Sequence, residues 1–259
     1  MSIGVPNLPV RLLGFLPGLT TPGGVTHQAI DDVALMRSIP NMRILEVGDA
    51  TEVESVLDVA EGIDGPVYIR MLRGEIPRLF PPSSPMKFGE ARLLSNGGCP
   101  WSNDSDVAIV TTGICTEEAI KARGMIQSSG VRILHLHLST IVPFPSDDIL
   151  RVCNMVKHGL ITMENHSVIG GVGSATAEVL AEHAVAKPLI RLGVPAGTYA
   201  HGASREYLVK EYGFDAEALI EAIEKLVGRK LNKDMDSSLS AQVESQGQAA
   251  NLMERPEDL

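Results

Sequence analysis

The chain has 259 residues, a formal net charge of −10, 44% hydrophobic residues and only 4% aromatics. That acidity excludes a nucleic-acid or anionic-membrane surface built on clustered Lys and Arg, though not a small phosphorylated ligand, which needs only a few local cations. The three cysteines, Cys99, Cys115 and Cys153, lack metal-ligand spacing, no apolar run is long enough to span a bilayer, and the opening MSIGVPNLPVRLLGF has no secretory pattern, so a reducing, cytoplasmic setting is expected.

Val10–Phe15 is a short apolar run that reads as a buried strand. After the pliable stretch PGGVTH (Pro22–His27), the spacing of Ile30, Val33, Ala34 and Arg37 predicts a helix over His27–Ser38, stopped by Pro40. Arg43–Val47 reads as a strand. Asp49 and Glu52 form an acid-plus-Glu capping box for a helix through Val53, Val56, Leu57 and Ala60, with Gly62 at its end. Val67–Met71 is the next strand. The alternation predicts a parallel sheet with helices on its faces, and with three strands that sheet is expected to need completion by a partner or by further chain.

Pro77, Pro81, Pro82, Pro85 and Pro100, with Gly97 and Gly98, break the rhythm and predict a linker over 77–105. The alternation then restarts. Strands are expected at Val107–Thr111, Val131–Leu136, Leu160–Met163 and Leu189–Leu192. Helices are expected at Glu117–Gln127, Ser146–Val156 and Gly173–Ala186, and from an Asp215 cap through Val227 to Gly228. The expected organisation is an α/β protein: a partial first unit over 1–76, the linker 77–105, a complete smaller α/β unit over 106–230, and a tail over 231–259 whose Ser-, Gln- and acid-rich composition predicts disorder.

Several residues invite chemistry. Glycines ahead of a helix free backbone N–H groups for a polar ligand, and an imidazole there can exchange a proton near neutral pH, so His27 is a candidate substrate contact. The plainer reading has Thr26 capping the helix and His27 solvated. Glu164, His166 and the glycines Gly170, Gly171 and Gly173 suit an anion at a helix start but lack the third glycine of a dinucleotide fingerprint, which favours a structural or subunit-contact role. His135 and His137 alternate on one strand face without a third ligand, which predicts a satisfied pair near a sheet edge. His201, Ser204 and Arg205 read as the cap of the segment leading to Tyr207.

The run GGVTHQAIDDVALMRSIPNMRILEVGDATEVESVL, with GPVYIRMLRGEIP, resembles the transketolase family in order and spacing. DVAIVTTG, VRILHLHLSTIVPFP, ITMENHSVIGGVGSATAEVLAE and LIRLGVPAGTYAHGASREYLVKEYGFDAEALIEAI resemble its C-terminal domain. The resemblance covers about Pro9 to Val227. It implies a partial thiamine-diphosphate pyrimidine-binding domain followed by the transketolase C-terminal domain, and transfer of a two-carbon ketol unit between sugar phosphates. It gives His27 a catalytic role against substrate hydroxyls and Arg73 a grip on the substrate phosphate, while Arg70 serves structure. Two departures stand out. An upstream His of the family falls here near Phe15 or Leu16, and an acidic residue of the family's loop is replaced in Pro22-Gly23-Gly24. The resemblance further implies that the coenzyme-activating Glu lies before the first strand and that the diphosphate and magnesium are held by another domain. The chain is therefore expected to bind thiamine diphosphate and magnesium only with an N-terminal diphosphate-binding partner subunit, to be inactive alone, and to form a homodimer through its C-terminal domain. A deoxyxylulose-phosphate synthase, a 2-oxoacid dehydrogenase beta-subunit and a non-catalytic scaffold are the competing readings.

Overall fold

The computed structural model describes residues 2–20, 22–72, 76–94 and 104–234. The first half runs β1 (Arg11–Phe15), a 3-10 turn at Gly24–His27, α1 (Asp32–Arg37), β2 (Arg43–Glu46), α2 (Ala50–Glu61) and β3 (Val67–Met71). The strands β1, β3 and β2 pair in parallel in that order. The rest comprises β4 (Arg92–Leu93), β5 (Ser105–Thr111), α3 (Cys115–Met125), β6 (Ile133–His137), β7 (Thr140–Val142), α4 (Ser146–Met155), β8 (Val156–Ser167), α5 (Val172–Glu182), β9 (Leu189–Val194), α6 (Arg205–Glu211) and α7 (Ala216–Val227). The second sheet has the order β4-β6-β5-β8-β9, parallel except for β4. The architecture is α/β, as read from the alternation. Among the described residues no helix is long and apolar enough to cross a membrane.

The first sheet is not limited to its own three strands. β7, which follows the second-sheet strand β6, returns to pair antiparallel with β2. The chain itself thus supplies a fourth strand, where the sequence pattern called for an outside one. Thr140–Val142 is too short to show a period, which is why it escapes sequence reading.

Packing ties the halves together through the two-residue period of the strands. On β2, Leu45 faces α2 in a cluster with Val47, Val56, Val67 and Ile69. Its neighbour Ile44 faces the opposite way, into a cluster shared with Val110, Leu136, Ile149 and Leu160 of the second half. On β5, Val107 and Ile109 join a third cluster with Phe214, Leu219 and Ile223, and this cluster also takes Leu19 and Ile30 from the first half. Each such Ile or Leu contributes roughly 1.5–3 kcal/mol on full burial.

Several caps form where they are expected. Asp49 accepts from Glu52 N, and the Glu52 side chain reaches back to Gly48 N. Asp215 accepts from Ala218 N, and Gly228 closes α7 with φ +71°. The helix expected from His27 is corrected: His27 closes the 3-10 turn, Gln28 is extended, Ala29 bridges to Pro17, and α1 starts only at Asp32. Tertiary contacts of Gln28 and Ala29 override the helical periodicity there.

Candidate functional site

In open α/β sheets, ligands bind beyond the carboxyl ends of parallel strands. In the first sheet those ends are Phe15, Glu46 and Met71. His27 is exposed, and its Nδ1 lies 2.9 Å from the Thr26 hydroxyl. Among the described residues its Nε2 has no hydrogen-bond partner, so that nitrogen is available to a ligand hydroxyl. Gly23 packs against the ring: a Cβ built there would stand 2.8 Å from His27 Cβ and Cγ. The missing acidic residue of the loop is therefore coupled to the local backbone, because any side chain at Gly23 displaces His27. Leu16, where the upstream His was sought, bends the chain sharply with φ +58°. Arg73 lies outside the described residues, just past Leu72.

Behind this edge stands Arg70, only 1% exposed. Its Nε donates to Asp32 Oδ2 at 2.8 Å and its Nη1 to Glu46 Oε1 at 2.5 Å. Its Nη2 donates to the carbonyls of Asn165 (2.8 Å) and Ala29 (3.2 Å). Burial alone would lower its pKa, but the charges of Glu46 and Asp32 raise it. Burial pushes Asp32 upward, and Arg70, with Tyr68 and His166, more than reverses this, leaving the carboxyl below its usual value. Glu46 also accepts from Thr112 Oγ1, and Asp32 from Tyr68 Oη. Arg70 is thus a structural cation, with each of its three nitrogens donating to at least one partner. The sequence reading missed Asp32 and Glu46 as its partners. The signal was present: a charge inside an apolar strand, as in RILE and VYIRM, must be paired if buried.

His135 and His137 are fully buried on β6, one strand in from the edge strand β4. They belong to one hydrogen-bond chain. Arg123 Nη1 donates to His135 Nδ1 (3.2 Å), and His135 Nε2 donates to Thr111 Oγ1 (2.8 Å). Thr111 Oγ1 lies 2.8 Å from Thr116 Oγ1, Thr116 Oγ1 2.7 Å from His137 Nδ1, and His137 Nε2 2.9 Å from Glu52 Oε2. For His135, burial and then Arg123 hold the pKa well below its ordinary value. Glu52 also accepts from Ser139 Oγ, so the chain ends on a first-half carboxylate gripped by second-half side chains.

Glu164 accepts from Val172 N and Gly173 N at the start of α5. Burial outweighs those bonds and pushes its carboxyl up to about 7. Burial and then Arg70 push His166 down to about 4; its Nδ1 donates to Ser167 O and its Nε2 accepts from Ala34 N. The glycine-rich loop is therefore occupied by its own carboxylate, a structural use. Ser204 caps α6 by accepting from Tyr207 N, and Arg205 faces Glu117.

A coenzyme diphosphate with its metal needs a free carboxylate set, and the pyrimidine ring needs a free acid. Among the described residues no cluster could hold a metal ion. Glu46, at the end of β2, is paired with Arg70, as is Oδ2 of Asp32 at the start of α1, whose Oδ1 is buried without a hydrogen-bond partner; Glu52 of α2 is held by His137 and Ser139. Asp49 caps α2 and binds Leu79 N and Phe80 N. The cleft between Pro17, Glu46, Leu72, Gly113 and Asn165 is too narrow to admit a water molecule. The described residues do not, by themselves, fit the coenzyme.

Comparison with known proteins agrees with this architecture. The chain matches the transketolase pyrimidine binding domain over residues 3–78 and the transketolase C-terminal domain over residues 101–219. It is 34% identical over 231 residues to the 6-deoxy-6-sulfo-D-fructose transketolase subunit SqwH of a Clostridium species, covering 89% of this chain and 69% of that one. It is 30% identical to a putative transketolase C-terminal section of Methanocaldococcus jannaschii, covering 85% and 67%. It is also 30% identical to a 1-deoxy-D-xylulose-5-phosphate synthase of Caldanaerobacter subterraneus, covering 86% of this chain but 34% of the synthase. Among solved structures it is similar to a split gene transketolase described as an inactive beta4 tetramer, with a TM-score of 0.77, 32% identity, and coverage of 88% and 70%. A mutant transketolase from Pichia stipitis shares the fold at 17% identity, with a TM-score of 0.63 and coverage of 90% and 33%. The chain belongs to the transketolase family.

Proposed function

We propose that this chain is the C-terminal subunit of a thiamine-diphosphate-dependent transketolase-type enzyme and transfers a two-carbon ketol unit between sugar phosphates together with a second chain. That partner holds the coenzyme diphosphate and magnesium. The observation that carries the reading is the match to two transketolase domains in order, at a length that covers about two-thirds of relatives named as a subunit or a C-terminal section. The pairing of Glu46, at the end of β2, with Arg70 supports the dependence on a partner. In this reading His27 meets substrate hydroxyls through Nε2, Arg73 binds the substrate phosphate with its planar fork of donors, and the 1–76 and 106–230 units are the pyrimidine-binding and C-terminal domains. The enzyme is cytoplasmic, in keeping with the free, buried thiols of Cys115 and Cys153, and the C-terminal domain contributes a homodimer contact.

The second reading is a component of a deoxyxylulose-phosphate synthase-like enzyme, favoured by the 30% identity to such a synthase. The higher identity to the transketolase subunit, 34%, weighs against it. The test is co-purification with the candidate diphosphate-domain chain, followed by assay with thiamine diphosphate, magnesium, a ketose phosphate and an aldose phosphate. Ketol transfer by the pair and none by either chain alone is expected. Transfer by this chain alone overturns the partner dependence, and decarboxylative condensation of a 2-oxoacid in place of ketol transfer favours the synthase reading.

A further inference from the structure

The stretch between β1 and α1 folds onto the second half of the chain rather than onto its own sheet. Leu19 N donates to Asn165 Oδ1 at 2.8 Å, and Leu19 and Ile30 lie in the core with Ile109 and Phe214. Between them the turn Gly24–His27 is exposed and has no buried residue of its own. A single 3-10 turn is too short to hold itself in water, so its geometry must come from what flanks it.

Two contacts bracket it. On one side is Gln28, 7% exposed. Its Nε2 donates to Ala200 O at 2.7 Å, and Ala200 N donates to its Oε1 at 2.9 Å. The side-chain amide thus pairs with the backbone of Ala200 as a neighbouring strand would, and Ala200 is fully buried. On the other side Pro22 lies against Gly202: a Cβ built on Gly202 would stand 2.2 Å from Pro22 O. A Cβ on Gly24 would in turn sit 3.4 Å from Gly202 N. Among the described residues the His27 ring, adjacent to Gln28, hydrogen-bonds only to its neighbour Thr26 and packs on the Gly23 backbone. Where the imidazole stands is therefore decided by the backbone, and the backbone is decided by the loop around Ala200 and Gly202.

We propose that Gln28 is a positioning residue for the reaction: by clamping the turn to Ala200 it fixes His27 in the substrate site, so the C-terminal half contributes to turnover through geometry. This rests on the reading of His27 as a substrate contact. The role of the amide is separate from that of the imidazole, because Gln28 is buried and its amide is bonded to Ala200.

The test uses Gln28→Met, which keeps the volume and removes both hydrogen bonds, and Gly202→Ala, which pushes Pro22 away from the opposite side. In the full chain, hydrogen exchange at residues 22–28 and 198–203 should quicken in both variants, by about tenfold in Gln28→Met, the scale expected for two lost hydrogen bonds, while α7 and β5 stay protected. In the reconstituted two-chain enzyme, Gln28→Met should lower kcat/KM for a ketose phosphate on the order of tenfold or more, and should lower it no further in a His27→Ala background. Unchanged exchange in both segments overturns the proposal. So does an equal fold-loss with and without the imidazole, which leaves the His27 reading standing. His27→Ala at the parent rate overturns that reading and the positioning role together.

Discussion

Arg70→Met removes the cation that pairs with two buried carboxylates. Breaking a buried ion pair from one side costs about 3–5 kcal/mol, because the remaining charge is left uncompensated. Here Asp32 and Glu46 both lose their partner, and the carbonyls of Asn165 and Ala29 lose their donor. The cost should therefore reach the top of that range, about 5 kcal/mol, a large share of a typical domain's stability. Urea unfolding of the full chain followed by circular dichroism should show the midpoint falling by about 2 M. The deficit should be largest near neutral pH and should shrink in mild acid, where the orphaned carboxylates take up protons instead of remaining charged. Adding Glu46→Met and Asp32→Asn should recover much of the loss, since an apolar replacement of a whole buried network is often near neutral. A midpoint for Arg70→Met within a few tenths molar of the parent would refute the reasoning.

Other consequences are equally direct. Thr116→Val cuts the hydrogen-bond chain, leaves His137 Nδ1 buried and unpartnered, and should cost about 2 kcal/mol in the same unfolding measurement; a change under about 0.5 kcal/mol contradicts the relay. Glu164 and His166 predict opposite pH effects. The carboxyl of Glu164, raised from 4.5 to about 7, contributes stability present below 4.5 and lost as pH rises through 7. The imidazole of His166, lowered from 6.5 to about 4, contributes stability present above 6.5 and lost as pH falls through 4. Relative to the parent, Glu164→Gln should therefore tilt stability upward with pH between 4.5 and 6.5, and His166→Asn should tilt it downward, each by about 1.4 kcal/mol per pH unit; tilts of the same sign would show that the assignment is wrong. Arg73→Ala should reduce kcat/KM of the two-chain enzyme by roughly tenfold to a hundredfold for a phosphorylated sugar and leave an unphosphorylated analogue nearly unchanged, whereas equal losses on both argue against a phosphate contact.

The alternation of strands and helices was legible because each element carries its own period and caps. Asp49 with Glu52, and Asp215 with Gly228, mark α2 and α7 without any tertiary information. What stayed hidden depends on partners far away in the chain. β7 is three residues recruited by the edge of β2. The start of α1 is delayed to Asp32 because Gln28 bonds to Ala200, 172 positions on. The residues at the candidate site divide the same way. His27 is visible from its glycine-flanked motif, whereas the ion pairs that make Arg70 structural join three separate elements and have no local spacing. Glu164 invited a ligand reading from its position before a glycine-rich helix start, and the structure fills that start with the carboxylate itself.

The central claim is that this chain supplies the substrate edge of a transketolase-type site whose coenzyme is held jointly with another chain. Titration calorimetry with thiamine diphosphate and magnesium tests it most directly. The chain alone should take up no coenzyme stoichiometrically, and a complex with the diphosphate-domain chain should take up one equivalent per site. Stoichiometric, tight uptake by the purified chain without a partner would contradict the account.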